Sequence, residues 1–112
     1  MKTQNVAVID ASRSAVTLVN VYEVEPGQQT VLTERLAKAT EDVMRQFPGF
    51  LSVSIHRSLD GTRVVNYAQW ASKADLERMM KSPEAQAEIR GFASLARSVS
   101  PAVYEVTSVH VG

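Results

Sequence analysis

A carboxamide and an indole N–H share one face of a predicted strand in this chain. In the run Asp60-Gly61-Thr62-Arg63-Val64-Val65-Asn66-Tyr67-Ala68-Gln69-Trp70, strand geometry turns alternate residues to one side, so Val64, Asn66, Ala68 and Trp70 point together. Burying an amide without a partner costs about 1–3 kcal/mol, so polar groups on an apolar face call for a ligand or an internal network. Aimed into a cavity, such groups can steady charge developing on a ligand oxygen. The same residues also suit a structural arrangement, with Trp70 in the core and Asn66 capping a backbone group. A second carboxamide, Asn20, stands mid-strand on one face with Val16, Leu18, Tyr22 and Val24. If its strand neighbours the Asn66 strand, the two amides converge, on a ligand or on each other.

His56 is the only mid-chain group whose ordinary titration lies near neutrality. Its direction depends on the turn that follows. A two-residue turn at Asp60-Gly61 pairs Ile55 with Asn66 and sends His56 outward. A three-residue turn from Leu59 to Gly61 pairs Ser54 with Asn66 and brings His56 in. Arg90 follows Ile89 on the apolar side of the last predicted helix, where its guanidinium could bind an anionic oxygen; a surface salt bridge with Glu88 or Asp75 is the alternative. Met79 and Met80 suit either the core or a pocket wall.

The elements that position these residues follow from periodicity. Residues 1–14 lack it and read as a loose arm; residues 15–112 form the domain. Residues 16–24 are rich in β-branched side chains and predict a first strand, ended by Pro26-Gly27. From 28 to 46 the apolar residues Leu32, Leu36, Ala39, Val43 and Phe47 recur at three and four, which predicts a helix. Pro48-Gly49 stops it. Residues 50–57 alternate as a second strand, and Asp60-Gly61 turns the chain into the third. Ser72 with Asp75 approximates a capping box for a short helix carrying Leu76, Met79 and Met80. Ser82-Pro83 restarts a helix, and residues 102–109 predict a last strand. The order β-α-β-β-α-β predicts an α+β, ferredoxin-like split βαβ fold. Its uncovered sheet face, with Val19, Val21 and either Leu51, Val53 and Ile55 or their opposites, predicts a homodimer packed sheet against sheet.

Composition narrows the function. A chain of 112 residues, 45% apolar and 21% charged, suits one globular domain. Twelve basic and twelve acidic residues cancel, which argues against nucleic acid or a membrane surface as partner. There is no cysteine, and only His56 and His110 could offer imidazole, so no protein-bound metal is expected. No apolar run is long enough to span a bilayer or to form the centre of a signal peptide. A cytoplasmic location is expected. The five scattered glycines make no phosphate-binding loop.

Pro48-Gly49-Phe50-Leu51-Ser52, His56, Asp60-Gly61-Thr62 and the string from Val64 to Trp70 resemble the antibiotic biosynthesis monooxygenase family, closest to its actinorhodin-pathway, anthrone-oxidising type. The resemblance covers roughly residues 15–108. It implies a dimeric ferredoxin-like α+β barrel and an oxygenase that needs no flavin, metal or haem. Asn66 and Trp70 match proposed site residues of that branch, Arg90 matches a pocket arginine, and Asn20 stands where some relatives have a functional asparagine. A pocket tyrosine of that branch falls at Leu76 here, which leaves the substrate open. In the haem-degrading branch, a tryptophan and the iron-ligating histidine fall at Met79 and Ile89, so haem degradation is disfavoured. The resulting expectation is oxidation of a phenolic anthrone to a quinone by molecular oxygen. Asn66, Trp70, Arg90 and His56 would act on the reacting groups, while Asn20, Tyr22, Leu76 and Met79 would hold the substrate. A dimer that binds a small aromatic without turnover, and a quinol-oxidising stress-response enzyme, are the alternatives.

Overall fold

The first strand, β1 (Val16–Glu23), is central rather than peripheral: in a computed structural model that describes residues 5–112, it is flanked on both sides. After it come α1 (Gln29–Asp42), a single 3-10 turn (Met44–Gln46), β2 (Phe50–Arg57) and β3 (Arg63–Trp70). Helices α2 (Lys73–Lys81) and α3 (Pro83–Ser94) and strand β4 (Ser98–Tyr104) complete the chain. The sheet order is β2-β3-β1-β4, with every neighbouring pair antiparallel. This is the ferredoxin-like α+β arrangement. Of the arm expected over residues 1–14, residues 5–14 form no helix or strand, and residues 1–4 lie outside the described residues.

Local chemistry explains the boundaries. Helix α1 ends four residues earlier than its apolar period suggests. Pro48 disfavours the helical basin for Phe47, which sits at φ −75°, ψ 140°, so the chain tightens through one 3-10 turn while Val43 and Met44 stay buried. At Gly49 (φ +83°) the Asp75 side chain fills the space a Cβ would need. Ser72 caps α2 by accepting a hydrogen bond from the Asp75 backbone N–H at 3.1 Å, and Ser82 caps α3 with Pro83 in its first turn. The last strand departs most from expectation: it runs over Ser98–Tyr104 instead of residues 102–109. Its extent is dictated by pairing with β1 from Thr17↔Tyr104 to Glu23↔Ser98, and Pro101 is tolerated because β4 is an edge strand.

The core lies between one sheet face and the helices. Leu18, Tyr22, Val64, Ala68 and Trp70 meet Leu32, Leu36, Ala39, Leu76, Met79 and Phe92 there. Trp70 is 1% exposed and stacks edge-on against Phe50, ring centroids 5.6 Å apart. Val53 and Ile55 face the helices with Ala68 and Asn66. The other sheet face therefore carries Val19, Val21, Val65 and Tyr67, with Ser52, Ser54 and His56 at its β2 edge. Among the described residues no helix is long and apolar enough to cross a membrane.

Candidate active site

A cavity of about 250 Å³ opens between the sheet and its helices. Strand β1 contributes Leu18, Asn20 and Tyr22 to its floor; β3 contributes Asn66, Ala68 and Trp70; β4 adds Val99 and Pro101. Helix α1 supplies Leu36 and Thr40, α2 supplies Met79 and Met80, and α3 supplies Ile89, Phe92 and Ala93. The wall is mostly apolar with a few polar groups, as small-molecule sites are.

The register decides which polar groups meet. Asn20 lies directly opposite Asn66 across the β1/β3 ladder, so both amides point to the cavity from neighbouring strands. They do not satisfy each other. Asn66 Oδ1 is buried without a hydrogen-bond partner, and so is Trp70 Nε1. One orphan is an acceptor and the other a donor, and both belong to residues that line the cavity. A buried polar atom left unpaired costs about 1–3 kcal/mol, a cost these two groups place on the strand. Of the two arrangements open in sequence, capping of a backbone group by Asn66 Oδ1 does not occur.

Three of the eight sequence-derived site residues lie elsewhere. His56 pairs with Val65 and Ile55 with Asn66, which turns His56 to the outer sheet face, where it is exposed. The register is that of the shorter turn, although the connection itself is longer. Ser58 N–H bonds Arg63 O at 3.0 Å, and Asp60 Oδ1 accepts from Ser58 Oγ, Thr62 N–H and Thr62 Oγ1. These bonds hold the Asp60 carboxyl down at about 2. Arg90 is exposed and absent from the wall, because a helix rotates about 100° per residue and Ile89 takes the inward position. Neither proposed salt-bridge partner meets it: Glu88 pairs with Arg35 and Asp75 with Arg78. Leu76 is a core residue, 4% exposed, that does not reach the cavity wall. Asn20, Tyr22, Asn66, Trp70 and Met79 do line it.

Thr40 and Met44 were not anticipated. They follow Leu36 at four-residue steps, on one stripe of α1 and its 3-10 extension. A threonine interrupting an apolar stripe is the signal that could have found them. Thr40 Oγ1 donates to Leu36 O at 2.8 Å. No group of three His, Cys, Asp or Glu side chains is placed to hold a metal ion among the described residues.

A split βαβ sheet whose helices roof an apolar cavity lined by residues with unpaired hydrogen-bonding groups defines a ferredoxin-like small-molecule-binding domain. The chain belongs to the antibiotic biosynthesis monooxygenase family, which matches residues 15–90. It is 44% identical over 101 residues to tetracenomycin-F1 monooxygenase from Streptomyces glaucescens, covering 90% of this chain and 89% of that one. The solved ActVA-Orf6 monooxygenase of Streptomyces coelicolor, in complex with nanaomycin D, is 30% identical with a TM-score of 0.79, over 89% of this chain and 94% of that chain. SnoaB from Streptomyces nogalater, a cofactor-independent oxygenase, shares the fold at 20% identity and a TM-score of 0.76, over 86% and 96%. The protein is accordingly a monooxygenase.

Proposed function

We propose that this protein oxidises a phenolic, anthrone-type aromatic to the corresponding quinone with molecular oxygen and no cofactor. The observation that carries the reading is the pair of orphaned atoms, Asn66 Oδ1 and Trp70 Nε1, on two residues that line an apolar cavity. Planar rings would pack against Met79, Ile89 and Phe92. A phenol or carbonyl on the rings would pair these atoms and offset the free energy they forfeit unpaired.

Triplet oxygen reacts slowly with closed-shell molecules, and enzymes commonly recruit a cofactor to deliver single electrons. An anthrone anion is itself a one-electron donor. Electron transfer to oxygen, recombination at the ring carbon and loss of water from the hydroperoxide give the quinone, one oxygen atom leaving as water. The protein's task is to favour the anion. Trp70 Nε1–H donates to the oxyanion from a dry wall, where such a donor is worth about 2.7–4 kcal/mol. Asn66 accepts from the substrate's phenolic O–H, and after a half-turn of its amide offers an N–H to the anion instead. Asn20 acts beside it. The half-buried apolar sheet face carrying Val19, Val21, Val65 and Tyr67, which no helix covers, supports a homodimer, with a solution mass of twice the chain.

The test is oxygen consumption by chelator-treated protein mixed with dithranol, a dihydroxyanthrone. The expected result is one oxygen consumed per quinone formed, at a rate far above spontaneous oxidation. A rate equal to the spontaneous one, or one abolished by chelation, refutes the proposal.

A further inference from the structure

Among the described residues, the cavity wall carries two amides, an indole, one threonine and apolar side chains, but only one side chain able to gain or lose a proton: Tyr22. No carboxylate, imidazole or ammonium of the described residues reaches it. Tyr22 sits two residues from Asn20 on the same strand face, about 7 Å further along β1. Its cross-strand neighbours are Val64 and Val99, so its ring is walled by aliphatic groups and its phenol has no polar strand partner. It is 3% exposed. Thr40, the other hydroxyl in the wall, already donates to Leu36 O, and neither amide nor indole releases a proton in water's range.

The reaction proposed above must move two protons after oxygen has added. Resting on that reading, we infer that Tyr22 closes a proton shuttle inside the cavity, protonating the substrate peroxide anion and then removing the hydrogen from the carbon that bears it. In the first step the phenol O–H bond breaks and an O–H bond forms on the terminal peroxide oxygen, leaving tyrosinate. In the second, tyrosinate takes the carbon-bound proton. The C–H electron pair becomes the second C–O bond of the quinone carbonyl, the O–O bond breaks, and hydroxide departs with its electrons to be protonated by solvent. Tyr22 ends as it began, and no external oxidant beyond molecular oxygen is required. Burial pushes the Tyr22 phenol up to about 12, which keeps it protonated at neutral pH. It also brings it close in strength to an alkyl hydroperoxide, so proton transfer between them runs nearly level.

Oxygen uptake and quinone formation with dithranol test this in wild type, Tyr22→Phe and a variant carrying 3-fluorotyrosine at position 22 alone. Phenylalanine keeps the ring, so KM should stay within about threefold while kcat falls on the order of 100-fold, the usual worth of a positioned acid-base group. Fluorotyrosine, a more acidic phenol of nearly the same size, should retain activity and move the alkaline limb of kcat to lower pH. It decides the matter if the phenylalanine variant fails to fold. A kcat for folded Tyr22→Phe within threefold of wild type, or a pH profile unmoved by fluorine, overturns the shuttle alone. Wild-type protein that consumes no oxygen overturns the proposed function and the shuttle with it.

Discussion

Replacing Trp70 with phenylalanine separates what the indole N–H does for the fold from what it does for a ligand. The substitution removes two ring carbons and the nitrogen, and leaves an aromatic ring to pack against Phe50. Losing two buried carbons destabilises by about 1.6 kcal/mol at about 0.8 kcal/mol each. Removing a buried N–H that has no partner returns about 1–3 kcal/mol. The two terms oppose, so the folding free energy of the variant should lie within about 1.5 kcal/mol of wild type. Activity should respond quite differently. One donor to a developing oxyanion in an apolar wall contributes about 2.7–4 kcal/mol to the transition state, so its loss is a 10²–10³-fold fall in kcat. Urea unfolding followed by circular dichroism gives the first quantity, since Trp70 is the chain's only tryptophan. Oxygen uptake with dithranol gives the second. Two results refute the reasoning: a kcat within threefold of wild type, or destabilisation beyond about 3 kcal/mol, which means that the N–H was not an orphan.

Two further expectations follow from placement. His56→Ala should leave kcat and its pH dependence within about twofold of wild type, because the imidazole lies on the outer sheet face; a tenfold loss in the same uptake assay would return it to the site. Asp60→Asn tests the β2–β3 turn through its melting temperature across pH. The Asp60 carboxyl is held at about 2 against an ordinary 3.8, so its hydrogen bonds stabilise the fold above pH 3.8 and that stabilisation fades as pH falls towards 2. The variant should melt lower than wild type at pH 6, and the gap should close on acidification between pH 4 and 2; a gap independent of pH contradicts the assignment.

The fold was legible because its signals are local. Alternation at 16–24 and 50–57, the period of three and four in α1, and the Ser72 and Ser82 caps each act within a few residues. The errors at element ends have physical causes of longer reach. Phe47 left the helix because of the proline after it, and β4 took its limits from β1, a strand some 80 residues earlier in the chain whose ladder only folding brings alongside. Arg90 and Leu76 were misplaced for a related reason. Periodicity marks an apolar stripe, but which residues border the cavity, which pack in the core as Leu76 does and which turn outward as Arg90 does depends on how α2 and α3 settle on the sheet.

The sequence by itself determined the α+β order, the family, and the strand face shared by Asn66 and Trp70, since alternation along a strand is a property of the backbone alone. Only the tertiary structure decided what that face meets. The hairpin register sent His56 to the far side of the sheet, because a shift of one residue exchanges the faces of the whole strand. The pairing of β1 with β3 set Asn20 opposite Asn66. Packing of three helices over both strands left one acceptor and one donor unpaired beside a single buried phenol, Tyr22. An unmet hydrogen bond is a relation between a group and everything that fails to reach it, and no one stretch of chain contains it.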